Sequence, residues 1–214
     1  MKVSQKTASL EDKEIQYTHI DNGGSVVCFM FSGSGYTYDK PLFYYSTMIM
    51  LQNQYDVVHI HYSYGQDLFE LPLDDITQII VNEVTLIINE VLNNHEYVKT
   101  VFLGKSLGTI PIINGFMKSN MYQNSKMILL TPLLKFDPIF NELMRSNHTS
   151  LIVIGEKDAH YILSKIDTID KKTNMHIEKV PYANHSLDIE PFHTQMSIAA
   201  LQKVMTRIED FLKS

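Results

Sequence analysis

The sequence is poor in cysteine and in long apolar runs. Its 214 residues include one cysteine, Cys28, so an internal disulfide is excluded. Cys28 lies in the apolar run 26–31, which favours a buried strand thiol over a reactive one. No apolar run approaches the roughly 20 residues of a transmembrane helix, and residues 1–16 carry charges without the apolar segment of a signal peptide. We therefore expect a cytoplasmic protein with no membrane partner.

Basic residues are also in short supply. Lysine and arginine total 18 against 24 aspartate and glutamate residues, for a net charge of −6. Binding to nucleic acid needs a clustered excess of basic residues, so nucleic acid is not an expected partner. With 44% hydrophobic residues, the composition is typical of a globular protein. At this length we expect one domain, 1–214, that folds without a disulfide or a metal.

Short apolar runs alternate with longer segments of helical period. This pattern predicts an α/β fold, with a mostly parallel twisted sheet of about seven strands and helices on both faces. The predicted strands are 15–20, 25–31, 55–62, 99–103, 126–130, 151–154 and 176–180. Helices are predicted over 73–92 and 195–212, from residue 106 onwards, and near Pro138. The turn sequence DNGG at 21–24 predicts that the first two strands pair as an antiparallel hairpin.

The pattern with the clearest chemical meaning is Gly-x-Ser-x-Gly, which reads GKSLG at residues 104–108. It lies between a predicted strand and a helical segment, as in the sharp turn that exposes a nucleophilic serine, here Ser106. The helix amides would face a developing oxyanion. A glycine-rich turn with an incidental serine is the alternative. A phosphate-binding P-loop is excluded, because Lys99 stands where that motif requires glycine.

Two further chemical groups follow later strands. Asp158 lies in the loop after strand 151–154, and His185 lies in the loop after strand 176–180. The carboxyl ends of parallel strands meet at one edge of a sheet, where active sites of such folds gather. Ser106, Asp158 and His185 are therefore expected at one rim, as the nucleophile, orienting acid and base of a serine hydrolase.

These segments, from residue 15 to residue 212, resemble the α/β-hydrolase fold family, and in particular its small members without a large cap. The resemblance implies Ser106 as nucleophile, Asp158 as acid and His185 as base, with no cofactor and no metal. It also implies that the Leu107 amide is one donor of an oxyanion hole.

The second oxyanion donor is expected from the loop 31–36. By resemblance to the family, the Ser34 amide is the aligned donor, and Tyr36 is the alternative if the alignment slips. Ser32 stands where the family usually has histidine. This departure leaves open a binding protein that keeps the fold without catalysis.

Other acids and histidines compete for these roles. Asp137 could be the acid, since some family members take it after the preceding strand, but its place before Pro138 favours a helix N-cap. Glu156 is a lesser alternative. The histidines at 59 and 61 share a strand face, yet two ligands do not make a catalytic zinc site, so we expect buried or rim histidines. The histidines at 160 and 193 lie near the same rim, without the position of the base.

Several neighbours of the motif have expected roles of lesser weight. Lys105 is expected to be a solvated or wall residue. Four tyrosines follow strands at the same edge and could line an acyl or alcohol pocket or merely pack: Tyr36, Tyr38, Tyr62 and Tyr64.

The expected reaction is the hydrolysis of a small carboxylester or thioester through an acyl-enzyme on Ser106. The segment between strands 126–130 and 151–154 is too short for a cap over the site, which favours a small-molecule acyl substrate with an accessible carbonyl. An acyltransferase with the same three residues is a further alternative.

Overall fold

One mixed sheet runs through the part of the chain that the computed structural model describes, residues 1–10, 13–62 and 64–214. Its strands are β1 (Lys2–Leu10), β2 (Lys13–Asp21), β3 (Val26–Phe31), β4 (Asp56–His61), β5 (Lys99–Lys105), β6 (Lys126–Leu130), β7 (Ser150–Gly155) and β8 (Met175–Val180). They lie in the order β1-β2-β4-β3-β5-β6-β7-β8. The six neighbouring strands β4-β3-β5-β6-β7-β8 are parallel to one another. At one edge, β2 pairs antiparallel with β4, and β1 pairs antiparallel with β2. The predicted α/β class with a mostly parallel sheet is confirmed.

The hairpin predicted between strands 15–20 and 25–31, which correspond to β2 and β3, is wrong. β2 pairs with β1 and β4, and β3 lies between β4 and β5. The turn at 21–24 is held by Asp56 at the start of β4, whose carboxylate accepts N–H groups of Asn22 at 2.9 Å and Gly24 at 3.0 Å. The strand β1 was not predicted, because an edge strand with mostly polar, exposed residues carries little apolar periodicity.

Five α-helices cover the sheet within the described residues. They are α1 (Pro41–Gln52), α2 (Leu73–Asn94), α3 (Asp137–Arg145), α4 (Leu163–Ile169) and α5 (Thr194–Lys213). The side chains of α1 and α5 pack on one face, and those of α2, α3, α4 and segment 110–117 pack on the other. In β5, Phe102 faces the α2 layer and its neighbours Val101 and Leu103 face the α1 layer. Apolar residues on both strand faces thus build two cores, as the sequence predicted.

The helix expected from residue 106 is irregular. Residues 106–108 form a 3-10 turn, residues 111–115 form a π turn, and residues 116–118 return to 3-10 geometry. Pro111 lacks the N–H that a regular helix would use at this point, so the α-helical hydrogen-bond ladder is interrupted.

The carboxyl edge of the parallel strands is left uncovered by any cap in the described part of the chain. The segment between β6 and β7 holds the short helix α3 alone. In these residues, no helix has both the length and the apolar character to cross a membrane.

Candidate active site

The turn that carries Ser106 follows β5 directly. Ser106 has a φ of 52°, a left-handed conformation that is uncommon for a residue with a side chain. A Cβ atom on Gly104 would collide with the Gly108 carbonyl, and one on Gly108 would collide with the Phe31 carbonyl. Glycine is therefore required at both positions, and the turn presents the Ser106 side chain at the carboxyl edge of the sheet.

The structure brings the three predicted residues together. Nε2 of His185 lies 2.9 Å from Oγ of Ser106, and Nδ1 of His185 lies 2.8 Å from Oδ2 of Asp158. With its proton on Nδ1, the ring can donate to the carboxylate and accept from the serine hydroxyl. The Asp158 side chain is fully buried, whereas 38% of the His185 side chain is exposed.

Asp158 is held as a carboxylate by its hydrogen bonds. Burial alone would raise its pKa, but the hydrogen bond from His185 and the one from the backbone N–H of His160 outweigh that effect and lower the pKa below its usual value. A charged acid beside Nδ1 favours the tautomer that leaves Nε2 free to act as a base.

The loops that carry Asp158 and His185 are joined through their backbones. The N–H of Lys157 donates to the carbonyl of Ala183 at 2.8 Å, and that of Glu156 donates to Val180 at 3.0 Å. Gly155 lies so close to the second loop that a Cβ would collide with the Ala183 carbonyl. The side chain of Asn184 accepts the Ser186 N–H, which shapes the turn around His185. Asp158 and His185 are thus positioned by the same contact between β7 and β8.

The loop 31–36 packs against the turn that carries Ser106. The Tyr36 N–H donates to the Gly33 carbonyl at 3.2 Å, and Gly35 has a φ of +70°. A Cβ on Gly33 would lie 3.2 Å from the Lys105 carbonyl and 3.4 Å from Cβ of Ser106. The tight turn therefore passes directly beside the serine, with Ser34 exposed at its tip.

Solved structures with this architecture are numerous, and three illustrate the likeness. Est1E from Butyrivibrio proteoclasticus has a TM-score of 0.73 at 12% identity, covering 97% of both chains. XC6422 from Xanthomonas campestris is described as an α/β serine hydrolase without a lid. It has a TM-score of 0.71 at 11% identity, and the match covers 99% of this chain and 94% of that one. Dienelactone hydrolase from Anabaena variabilis has a TM-score of 0.74 at 15% identity, and the match covers 99% of this chain and 97% of that one.

This chain has the α/β-hydrolase fold. The sequence matches no protein-family model, and no curated protein sequence matches it either. At identities this low, the likeness concerns the fold, and the chemistry must be argued from the site itself.

Lys105, the residue before the serine, is buried, which excludes one of its two expected roles. It was predicted to be solvated or a wall residue, yet it is 2% exposed. Its Nζ donates to the His185 carbonyl at 3.0 Å and to Oγ1 of Thr131 at 3.2 Å, and lies 4.5 Å from the centroid of the Tyr36 ring. Burial lowers the pKa of Lys105 to about 8, although Asp158 opposes this effect. The solvated interpretation is wrong because partners from three loops enclose the ammonium.

The four tyrosines predicted as pocket candidates have separate roles. The Tyr62 hydroxyl donates to the Ser32 carbonyl at 2.6 Å, and the Tyr38 hydroxyl accepts the Ser32 N–H at 3.2 Å. Tyr64 instead donates to Glu83. Two of the tyrosines therefore hold the backbone where the family usually has histidine, and the remaining one, Tyr36, lines a groove.

A groove of about 590 Å³ opens beside the loop 31–36. One wall comes from that loop and the start of α1, and the other from the residues after His185 and the start of α5. Its apolar lining comprises Tyr36, Leu42, Leu187, Phe192, Ile198 and Leu201. Lys40 and Asp188 add one charge of each sign. Ser106 and His185 are not among the lining residues, but the walls belong partly to the loop 31–36, which packs beside Ser106, and to the loop that follows His185.

The alternative acids lie in different surroundings. The carboxylate of Asp137 is 79% exposed and pairs with Lys165 at 2.6 Å. The helix α3 begins at Asp137, and Phe136 is its N-cap residue, so the predicted N-cap role of Asp137 is wrong by one position. An acid in the first turn still faces the positive end of the helix. Glu156 is exposed.

His59 is buried in β4, whereas His61 lies at the exposed end of the same strand. Burial lowers the pKa of His59 to about 3, and its Nε2 lies 2.8 Å from Oγ1 of Thr47. His61 bonds to Thr18 at 2.8 Å. This agrees with the interpretation as buried and rim histidines.

One group within the described residues has the spacing of a metal site. Ligand atoms of Asp158, His160 and His185 all lie within 4.8 Å of one another. Two of these residues already pair with each other, so a metal there would compete with the hydrogen bond between Asp158 and His185. His193, the other histidine predicted near the rim, accepts the Met196 N–H at the start of α5.

Proposed function

We propose that this protein is a serine hydrolase that cleaves a small carboxylester or thioester through an acyl-enzyme on Ser106. The observation that carries the proposal is the pair of hydrogen-bond distances at His185, 2.9 Å to Ser106 and 2.8 Å to Asp158. A base within reach of a nucleophile, and itself oriented by a buried acid, is the arrangement that activates a serine hydroxyl.

In the first half-reaction, Ser106 Oγ attacks the substrate carbonyl while Nε2 of His185 takes its proton. The oxyanion accepts hydrogen bonds from the amides of Leu107 and Ser34. The tetrahedral intermediate then collapses, the alcohol or thiol leaves with the proton from Nε2, and an ester links the acyl group to Ser106. In the second half, water attacks that ester while Nε2 of His185 takes a water proton. The second tetrahedral intermediate then collapses, the bond to Ser106 Oγ breaks, Nε2 returns the proton to Oγ, and the free acid leaves.

The geometry of the loop 31–36 favours Ser34 over Tyr36 as the second donor. The Tyr36 amide is already engaged with the Gly33 carbonyl. The presence of serine at position 32, where the family usually has histidine, is a weaker argument against catalysis once the contacts of this loop are known. The hydroxyl groups of Tyr38 and Tyr62 hold the Ser32 backbone, so the loop is shaped without that histidine.

The uncapped edge and the open groove favour a compact substrate with an accessible carbonyl. Esterases are among the solved structures of this fold, and one structure of Est1E holds ferulic acid. The groove of about 590 Å³ has room for a group of that size, and its walls belong partly to the loops next to Ser106 and His185.

A fluorophosphonate probe tests the proposal without knowledge of the natural substrate, because it reacts with an activated serine. We expect the wild-type protein to be labelled and Ser106→Ala to be unlabelled with an unchanged melting curve. Ser164→Ala, which alters an exposed serine in α4, is the matched control and should be labelled like the wild type. Equal labelling of Ser106→Ala would remove Ser106 from the mechanism.

A further inference from the structure

The ammonium group of Lys105 lies where three loops of the site meet. Lys105 ends β5 directly before the turn of Ser106, the His185 carbonyl belongs to the loop after β8, and the Tyr36 ring belongs to the loop 31–36. Thr131, at the end of β6, supplies a further acceptor. From these contacts we infer that Lys105 is a positioning residue that fixes His185 and the loop 31–36 relative to Ser106. The inference rests on the hydrolase function proposed above.

The burial of Lys105 makes this connection specific. An ammonium group inside a protein is costly unless its N–H groups are paired. Two of the partners are hydrogen-bond acceptors at 3.0 and 3.2 Å, and the third is the face of an aromatic ring. Lys105 therefore binds all three partners at once, and a shift of either loop would leave a buried donor unpaired.

The partner on the base loop is the backbone of His185 itself. A hydrogen bond to this carbonyl fixes the position of the His185 backbone. The imidazole on that backbone lies 2.9 Å from Oγ of Ser106 and 2.8 Å from Oδ2 of Asp158. The His185 ring is partly exposed, so packing alone constrains it weakly. A displacement of about 1 Å at such a base can cost about 100-fold in rate.

The charges around Lys105 determine how this contact depends on pH. Burial lowers the pKa of Lys105 to about 8, while the carboxylates of Asp158 and Asp188 oppose that change. Burial raises the pKa of Tyr36 to about 12, so that ring stays neutral at lower pH. His185 faces Lys105 through its carbonyl, which does not titrate. Above about pH 8 the ammonium loses its proton and its charge-assisted bonds weaken, so the rate is expected to fall on an alkaline limb.

Lys126 offers a matched control at the opposite end of the sheet. Its Nζ donates to the carbonyls of Phe211 and Leu212 at 2.7 and 3.1 Å and lies 5.3 Å from the Phe211 ring centroid. It thus makes the same kinds of contact as Lys105 at the start of β6, away from the catalytic edge. If replacing Lys105 lowered activity only by destabilising the fold, replacing Lys126 should lower activity as well.

The experiment measures the second-order rate constant of fluorophosphonate labelling from pH 6 to pH 10, with melting curves. We expect Lys105→Met to label about 10- to 100-fold more slowly at pH 7, and Lys126→Met to stay within about twofold of the wild type. The alkaline fall near pH 8 should appear in the wild type and in Lys126→Met and be absent from Lys105→Met. Labelling of Lys105→Met at the wild-type rate, or an alkaline fall that survives in it, overturns the inference.

Two further readouts keep the result decisive. If Lys105→Met does not fold, Lys105→Gln decides: it should be labelled about 10-fold more slowly than the wild type at pH 7, and labelling at the wild-type rate overturns the inference. If the wild type is not labelled at all, the proposed function fails. The positioning role is then decided by proton NMR of the His185 Nδ1–H that bonds to Asp158. Its low-field resonance should be lost in Lys105→Met and kept in Lys126→Met, and an unchanged resonance in Lys105→Met overturns the inference.

Discussion

Asp158→Asn alters a carboxylate whose two oxygens are both in use. Oδ2 lies 2.8 Å from Nδ1 of His185, and Oδ1 accepts the His160 N–H at 2.9 Å. Asparagine has one oxygen and one NH₂ group, so it can satisfy one of these donors and must present N–H to the other. If its oxygen stays with His160, the imidazole must carry its proton on Nε2, where it cannot accept from Ser106.

The effect of Asp158→Asn on kcat and on stability depends on whether His185 or the His160 N–H loses its acceptor. A base in the wrong tautomer should lower kcat by about 10³- to 10⁴-fold. One mismatched buried hydrogen bond should cost about 1–3 kcal/mol of unfolding free energy, against the roughly 5–15 kcal/mol of a typical domain. The variant should therefore be folded and nearly inactive.

The assay pairs kcat on a p-nitrophenyl acetate substrate with thermal melting. Asp137→Asn is the matched control, because its exposed carboxylate pairs with Lys165 on the surface, and its kcat should stay within about twofold of wild type. If Asp158→Asn kept more than a tenth of kcat while Asp137→Asn lost it, the acid would belong after β6 and the assignment of Asp158 would be refuted.

Two other predictions concern the turn and the groove. Gly108→Ala should cost about 1–3 kcal/mol or more in a urea melt, because its Cβ would collide with the Phe31 carbonyl; an unchanged midpoint would contradict the tight-turn argument. Because no cap covers the edge in the described residues, short acyl esters should give a higher kcat/KM than long-chain lipids. Ile198→Trp, which narrows the groove, should lower kcat/KM for an ester with an aromatic acyl group and leave the acetyl ester unchanged. Equal effects on both esters would place the substrate elsewhere.

Local sequence predicted most of the sheet, because each parallel strand carries its own signal in a short apolar run. Strand pairing is a different matter, since a turn indicates that the chain reverses and not which strand becomes its neighbour. The DNGG turn at 21–24 was therefore assigned to the wrong pair. The decisive contact is made by Asp56, more than 30 residues further along the chain.

The sequence by itself also indicated that Ser106, Asp158 and His185 would share one rim, because each follows the carboxyl end of a parallel strand. Their catalytic roles stay a prediction, whereas their hydrogen-bond distances are a property of the folded chain. Lys105 shows what tertiary structure alone decided. A lysine beside a serine is ordinarily solvated, and the burial of this one depends on Tyr36, Thr131 and His185, which are distant from it in sequence. An ammonium group is retained in a buried place only where such partners converge, and no local pattern records that convergence.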